Sequence, residues 1–195
     1  MTALNDIHAA IWKALATGAG PQRSPLTMWQ AATNGIGEAA GMPQVRTVVL
    51  RDADQTGGAI SFHTDVRSAK VAQLRADPRI ALTGLDLGNL LQIRLEGRAQ
   101  ICADEAERRA VWNAARQHTL ILYRTPFAPG TPLGTPEAGH VDARGDDDGD
   151  GDGYANFCVV RVVLDRLEYL DISPDGHRRA VFRRDDGWHG AWIAP

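Results

Sequence analysis

The residues best suited to chemistry crowd into one stretch, Arg46 to Gly97, which reads RTVVLR, then SFHTDVRSAK, then LQIRLEG. Arg46 and Arg51 bracket an apolar run. Arg67 and Ser68 lead into Lys70 near the start of a helical segment, whose first turn offers backbone N–H groups. If the strand, the hairpin after it and the helix start meet, guanidiniums, an ammonium, a hydroxyl and free amides converge, and that set binds a phosphate. If they do not meet, the same residues are strand-end arginines beside a solvated helix. Lysine is otherwise scarce: only Lys13 and Lys70 occur, against nineteen arginines. Gln92, in LLQIRL, is an amide in an otherwise apolar strand. It either pairs with neighbouring backbone or reads the edge of a planar ligand.

Other chemistries fit poorly. The chain has no GxGxxG, P-loop or nucleophile elbow. An EF-hand read from Asp148 puts Val159 where a bidentate Glu is required, and one read from Asp146 puts Phe157 there. The six histidines are dispersed without metal-like pairing. Cys102 and Cys158 have no CxxC or Cys/His spacing around them, as expected of reduced thiols. Net charge is −3, but residues 142–152 hold six aspartates and one arginine, so the remainder carries 20 basic against 18 acidic residues. A faintly basic body suits a bound phosphate; with 6% aromatic residues it offers no nucleic-acid groove. No apolar run reaches the ~18 residues of a membrane helix, and the N-terminus lacks a charged-then-apolar signal pattern. A cytoplasmic protein is the expectation.

The elements that must position these residues follow from periodicity. Leu4, Ile7, Ile11 and Leu15 predict a helix over 3–16, broken by the Gly/Pro-rich link to residue 25. Strands are expected over 26–33, 44–51 and 59–64, a helix over 66–76 ending at Asp77-Pro78, then strands over 79–85 and 90–101. Asp104 with Glu107 forms a capping pair for a helix over 105–117. Residues 124–153 read as a flexible loop with an acidic end. Strand runs return over 157–164 and 168–172, and a hairpin over 179–184 and 188–193 closes the chain. The sum is a mainly β, α+β domain spanning 1–195, with six to eight mostly antiparallel strands, a barrel rather than a doubly wound sheet, and peripheral helices.

The order RTVVLR, FHTDVRSAK, DPRIAL, LQIRLEG and a terminal W-x-x-x-W-I-A-P resembles the pyridoxamine 5′-phosphate oxidase-like family of FMN-binding split barrels, over about Leu26 to Pro195. The resemblance implies a homodimer with FMN at its interface. It implies that the strand Arg46, Thr47, Val48, Val49, Leu50 and Arg51 lines the cofactor, with Arg46 on the phosphate and Arg51 where the family often has lysine. His63 and Thr64 correspond to the family's aromatic-Thr pair, Arg67-Ser68 to a TDxRSxK version of the phosphate turn, Lys70 to its lysine, and Gln92 to the glutamine facing the isoalloxazine.

The substrate side departs from that pattern. The family's Tyr, Arg and Ser at four-residue intervals are Trp112, Arg116 and Leu120 here. Its Arg-x-His is matched at best by Arg178, followed by Arg179 and Ala180, and its flavin-bordering Trp falls near Leu170. The resemblance therefore implies an FMN-dependent oxidoreductase acting on a small molecule met by Trp112, Arg116 and Arg178. No side chain need act as acid or base, and no metal is implied. The alternative is a barrel that holds flavin or haem for storage or sensing without turnover.

Overall fold

The structure, a computed structural model, describes residues 3–22, 24–139, 153–174 and 176–195. Eight strands run in chain order: β1 Met28–Asn34, β2 Pro43–Asp54, β3 Ala59–Asp65, β4 Arg79–Asp86, β5 Leu91–Ile101, β6 Phe157–Asp171, β7 Arg178–Arg183 and β8 Gly190–Ile193. They pair antiparallel in the order β3-β2-β1-β4-β5-β6-β7-β8, and β3 also pairs with β6. That last pairing closes the first six strands into a barrel and leaves β7 and β8 as a flap, so the mainly β, barrel reading of the sequence holds.

β6 makes this possible. The sequence reads as two strands over 157–164 and 168–172, yet the chain is continuous from Phe157 to Asp171. Its first half is shared by β3 and β5, its second by β5 and β7. Opposite β5 the register jumps from Glu96↔Arg166 to Gly97↔Leu164, so Asp165 is an extra, bulged residue. A bulge bends and twists its strand, and here it turns β6 from barrel to flap. Gly97 permits the close approach, since a Cβ there would sit 2.2 Å from the Val163 carbonyl oxygen.

Alternation sets the two faces. Trp29, Phe62, Leu82, Ile93, Leu95, Val160, Val162 and Leu164 fill the interior, each contributing about 1.5–3 kcal/mol by leaving water. Helix α1, Leu4–Ala19, buries Ile7, Ile11, Trp12 and Leu15 and packs along β2. It extends past the predicted end at residue 16 because Gly18 lets it touch the Leu26 carbonyl. A 3-10 turn over Pro25–Thr27 delays β1 by two residues relative to expectation.

Two further helices start or stop where local hydrogen bonds dictate. α2 spans Ala69–Ala76 rather than 66–76, because Asp65 accepts from the Arg67 amide and makes a turn of 65–68. α3 covers Glu105–Ala114, capped by Asp104, whose carboxylate accepts from the Ala106 and Glu107 amides. Glu107 pairs instead with Arg161 at 2.8 Å. The chain then breaks at Ala115 and Arg116, and α4, Gln117–Leu120, follows, where one helix to 117 is expected from sequence. The acidic segment 142–152 lies outside the described residues. No helix among the described residues is long and apolar enough to cross a membrane.

Candidate functional site

The end of β3, the 65–68 turn and the start of α2 bring a polar cluster to one end of the barrel. Thr64 is the last inward residue of a strand whose earlier ones are apolar, so its hydroxyl emerges where the core ends. Lys70 Nζ donates to Thr64 Oγ1 at 2.8 Å, and Thr64 Oγ1 lies 3.4 Å from Ser68 Oγ. Thr64 and Ser68 are buried and Lys70 is half-buried. Ser68 does not cap α2 with its side chain, which leaves the helix start open to an acceptor from outside.

Arg46 enters the cluster from β2. Its inward neighbours Val48 and Leu50 are core, so Arg46 lies one repeat beyond the apolar part of the same face. Its Nη1 donates to Thr33 Oγ1 at 2.6 Å and its Nη2 to Gln73 Oε1 at 2.8 Å, while Thr33 donates to the same Gln73 oxygen at 2.6 Å. Two cations thus face one region with neutral partners, and among the described residues no carboxylate is hydrogen-bonded to either. Burial first, then the nearby charge of Arg46, pulls the Lys70 pKa below its ordinary value; burial lowers that of Arg46. A bound anion favours the charged form of both groups.

Arg67 is placed differently. Its Nε and Nη2 donate to the two carboxylate oxygens of buried Asp65 at 3.0 and 2.6 Å, and its Nη groups also reach the carbonyls of Thr125 and Pro126 at 3.0 and 3.3 Å. The Asp65 hydrogen bonds hold its pKa above the usual arginine value.

On the outer side of β2, β3 and β6, a cavity of about 520 Å³ brings Arg51, His63 and Arg116 together. Between β2 and β3 the register runs Leu50↔Phe62, then Asp52↔Ser61, which makes Arg51 a bulge residue. Bulges re-aim side chains, and this one turns Arg51 to the cavity. Val111, Ala115 and Thr119 form the opposite wall. Arg116 donates to the Pro21 carbonyl at 3.2 Å. His63 packs edge-on against Phe157, and burial, aided by Arg51, draws its pKa down to about 4. The imidazole is therefore neutral at physiological pH.

A third surface is the outward face of the barrel. Thr47 and Val49 point there, as do Met28 and Val45, which are more than 60% exposed. Gln92 stands on the same face of the sheet, opposite Leu85 and Leu170, and its amide has no hydrogen-bond partner among the described residues. Beyond it, buried Glu168 is ringed by Arg166, Arg179 at 2.7 Å and Arg94 at 3.6 Å.

Residues 27–137, more than half the chain, match the family model described as pyridoxamine 5′-phosphate oxidase. The chain belongs to the pyridoxamine 5′-phosphate oxidase family. It is 30% identical to the pyridoxine/pyridoxamine 5′-phosphate oxidase of Gluconobacter oxydans over 80% of this chain and 78% of that one. It is 26% identical to pyridoxine/pyridoxamine 5′-phosphate oxidase 2 of Arabidopsis thaliana over 86% of each. Among solved structures, a pyridoxamine 5′-phosphate oxidase-related, FMN-binding protein of Nostoc punctiforme superposes with a TM-score of 0.75 at 21% identity, covering all of both chains. PhzG of Burkholderia lata, solved with tetrahydrophenazine-1-carboxylic acid, gives 0.76 at 18% identity over 97% of this chain and 92% of its own.

Within this pyridoxamine 5′-phosphate oxidase family fold, the substrate-side residues are dispersed. Trp112 lies in an aromatic cluster with Tyr123, Tyr154 and Phe157, at ring centroid distances of 6.1, 5.5 and 5.2 Å. Leu120 is buried in the same cluster. Arg178, at the start of β7, pairs with Asp171 at 2.5 Å and does not line the cavity that holds Arg51 and Arg116. Two participants, Thr33 and Gln73, lie outside the motifs, and a third, Asp65, stands inside the TDxRSxK segment without a role assigned from sequence. Gln73 carried a usable signal, since its position three residues after Lys70 puts both on one helix face.

Proposed function

We propose that this chain binds FMN and works as a flavin-dependent oxidoreductase on a small anionic molecule. The observation that carries the reading is the Lys70–Arg46 cluster: two half-buried cations, the hydroxyls of Thr64 and Ser68 and a helix start without a side-chain cap, with no carboxylate among the described residues hydrogen-bonded to either cation. Lys70, Arg46 and Ser68 hold the phosphate by charge-assisted hydrogen bonds. Thr47, Val49 and Arg51 border the flavin ring along β2, and Gln92 offers its unpaired amide to the ring edge of a second copy's site.

When bound, FMN supplies hydride acceptance and electron delivery to oxygen or another acceptor, and the protein supplies orientation and exclusion of water. Kinship with curated oxidases supports that chemistry. The substrate occupies the cavity between α3 and β3, where Glu107 is paired with Arg161, Arg51 and Arg116 outweigh the remaining carboxylate, Asp52, in attracting an anion, and neutral His63 offers a hydrogen bond without adding charge.

The exposed apolar strip Met28, Val45 and Leu85 on an uncovered sheet face supports a homodimer through that face. Two free thiols suit a reducing, cytoplasmic setting. Purified protein should be yellow and release flavin absorbance on denaturation; colourless protein that fails to bind added FMN removes the reading. A second reading, flavin carriage without turnover, draws on half-buried Trp112 and buried Leu120 standing where the family has hydroxyls. Anaerobic mixing with pyridoxamine 5′-phosphate, amines or NAD(P)H separates the two, because a carrier shows no rapid bleaching of its flavin with any of them.

A further inference from the structure

We infer that Arg67 and Asp65 form a positioning pair that straps residues 123–126 to the turn opening α2, and that Arg67 does not itself hold the cofactor phosphate. The inference rests on the flavin reading of the Lys70 cluster, because it assigns a role beside that site. Arginine has five N–H groups. In Arg67, four are engaged: Nε with Asp65 Oδ1, Nη2 with Asp65 Oδ2 and the Thr125 carbonyl, and Nη1 with the Pro126 carbonyl. Asp65 is buried and accepts three hydrogen bonds from Arg67, since Oδ1 also accepts from the Arg67 amide at 2.8 Å. One Nη1 N–H remains among the described contacts, but to meet a phosphate with the forked pair of donors that suits it Arg67 would have to abandon its bidentate pair on a buried carboxylate, which leaves that charge unpartnered.

Two other bonds lead to the same junction. The Val66 amide donates to the Asn156 carbonyl at 2.8 Å, and Asn156 Nδ2 donates to the Tyr123 carbonyl at 2.8 Å. The 65–68 turn, the segment after α4 and the start of β6 are therefore tied at one point. Tyr123 belongs to the aromatic cluster beneath α3, and Arg116 and Thr119, just before it, line the 520 Å³ cavity. The strap thus connects the turn that presents Ser68 and Lys70 to the wall of the cavity. Arg67 acts on flavin binding through Asp65 and the backbone it fixes.

The experiment compares wild type, Arg67→Met, Arg67→Lys, Asp65→Asn and Lys70→Met in two measurements. Affinities for FMN and riboflavin are titrated on apoprotein, and amide hydrogen exchange is followed over residues 121–127. A strap predicts that Arg67→Met and Asp65→Asn each speed exchange in that segment by about 10-fold or more. Both weaken FMN and riboflavin together, so the ratio of the two affinities stays within about 3-fold of wild type. Lys70→Met instead collapses the ratio by at least about 10-fold and leaves exchange at 121–127 unchanged. Arg67→Lys does not rescue, because a single ammonium cannot span a carboxylate and two carbonyls; it also serves if Arg67→Met fails to fold. Unchanged exchange in the Arg67 and Asp65 variants, or a ratio that collapses in Arg67→Met as in Lys70→Met, overturns the inference. If wild type binds neither flavin, the flavin reading fails by itself, and the exchange data still decide the strap.

Discussion

The Lys70 ammonium donates to Thr64 Oγ1 across the turn that joins β3 to α2, and this 2.8 Å bond aims it into the same region as the Arg46 guanidinium. Among the described residues neither cation is hydrogen-bonded to a carboxylate, and each is held in place by neutral groups. That arrangement costs stability in the free protein and is relieved by an anion. Its consequences can be measured residue by residue.

Gln73 is the keystone on the Arg46 side. Its buried Oε1 accepts from both Arg46 and Thr33. Gln73→Leu removes both acceptor bonds and leaves Arg46 with Thr33 and a long contact to the Ala31 carbonyl. Losing a partner of a charged donor costs roughly 1.5–3 kcal/mol. Urea unfolding of the apoprotein should show that loss, together with weaker FMN binding. Unchanged stability would show that the triad contributes little.

His63 should impose a pH dependence. Its pKa is drawn from 6.5 down to about 4 in the fold. The unfolded chain therefore takes up this proton first as pH falls. The stability it contributes is complete above about pH 6.5 and drains between there and about pH 4, by an amount on the order of 3 kcal/mol. Between pH 7.5 and 4.5, wild type should lose more stability than His63→Phe in matched denaturant titrations. Equal losses would place the imidazole in water.

Arg51 and Arg116 share the cavity under α3. Titrating the flavin-loaded protein with pyridoxamine 5′-phosphate, and reading the flavin absorbance, should give a binding midpoint about 10-fold higher in either Arg→Ala variant. A midpoint that does not move in both variants removes the cavity as an anion site.

Trp112 should behave as a packing residue in thermal and chemical unfolding. It contacts Tyr123, Tyr154 and Phe157, and Trp→Ala at such a site costs about 3–5 kcal/mol when fully buried. Trp112 is half-buried, so the lower end is expected, and Trp112→Phe should recover most of it. A variant that keeps full stability while losing affinity for substrate would assign Trp112 to the cavity instead.

Much of this was legible in the sequence because it is local. The β-branched run at 44–51 and the turn chemistry at Asp77-Pro78 mark their elements by nearest-neighbour physics, and the spacing of Thr64, Ser68 and Lys70 places them around one turn. What escaped depends on pairing across the barrel. The bulges at Arg51 and Asp165 are properties of register, which long-range pairing sets, so neither the aim of Arg51 nor the continuity of β6 could be read from residues 50–52 or 164–166. Asp65 hid for a different reason: in sequence it resembles an ordinary polar turn residue, and only the fold brings the 125–126 carbonyls to the arginine it holds.

The central claim, that the Lys70–Arg46 cluster is a flavin-phosphate site, is tested most directly by titrating wild-type and Lys70→Met apoprotein with FMN and with riboflavin, which lacks the phosphate. Wild type should prefer FMN by at least about 10-fold, and Lys70→Met should lose most of that preference while still binding riboflavin as wild type does. Equal affinities for the two flavins in wild type, or an undiminished preference in Lys70→Met, would contradict it.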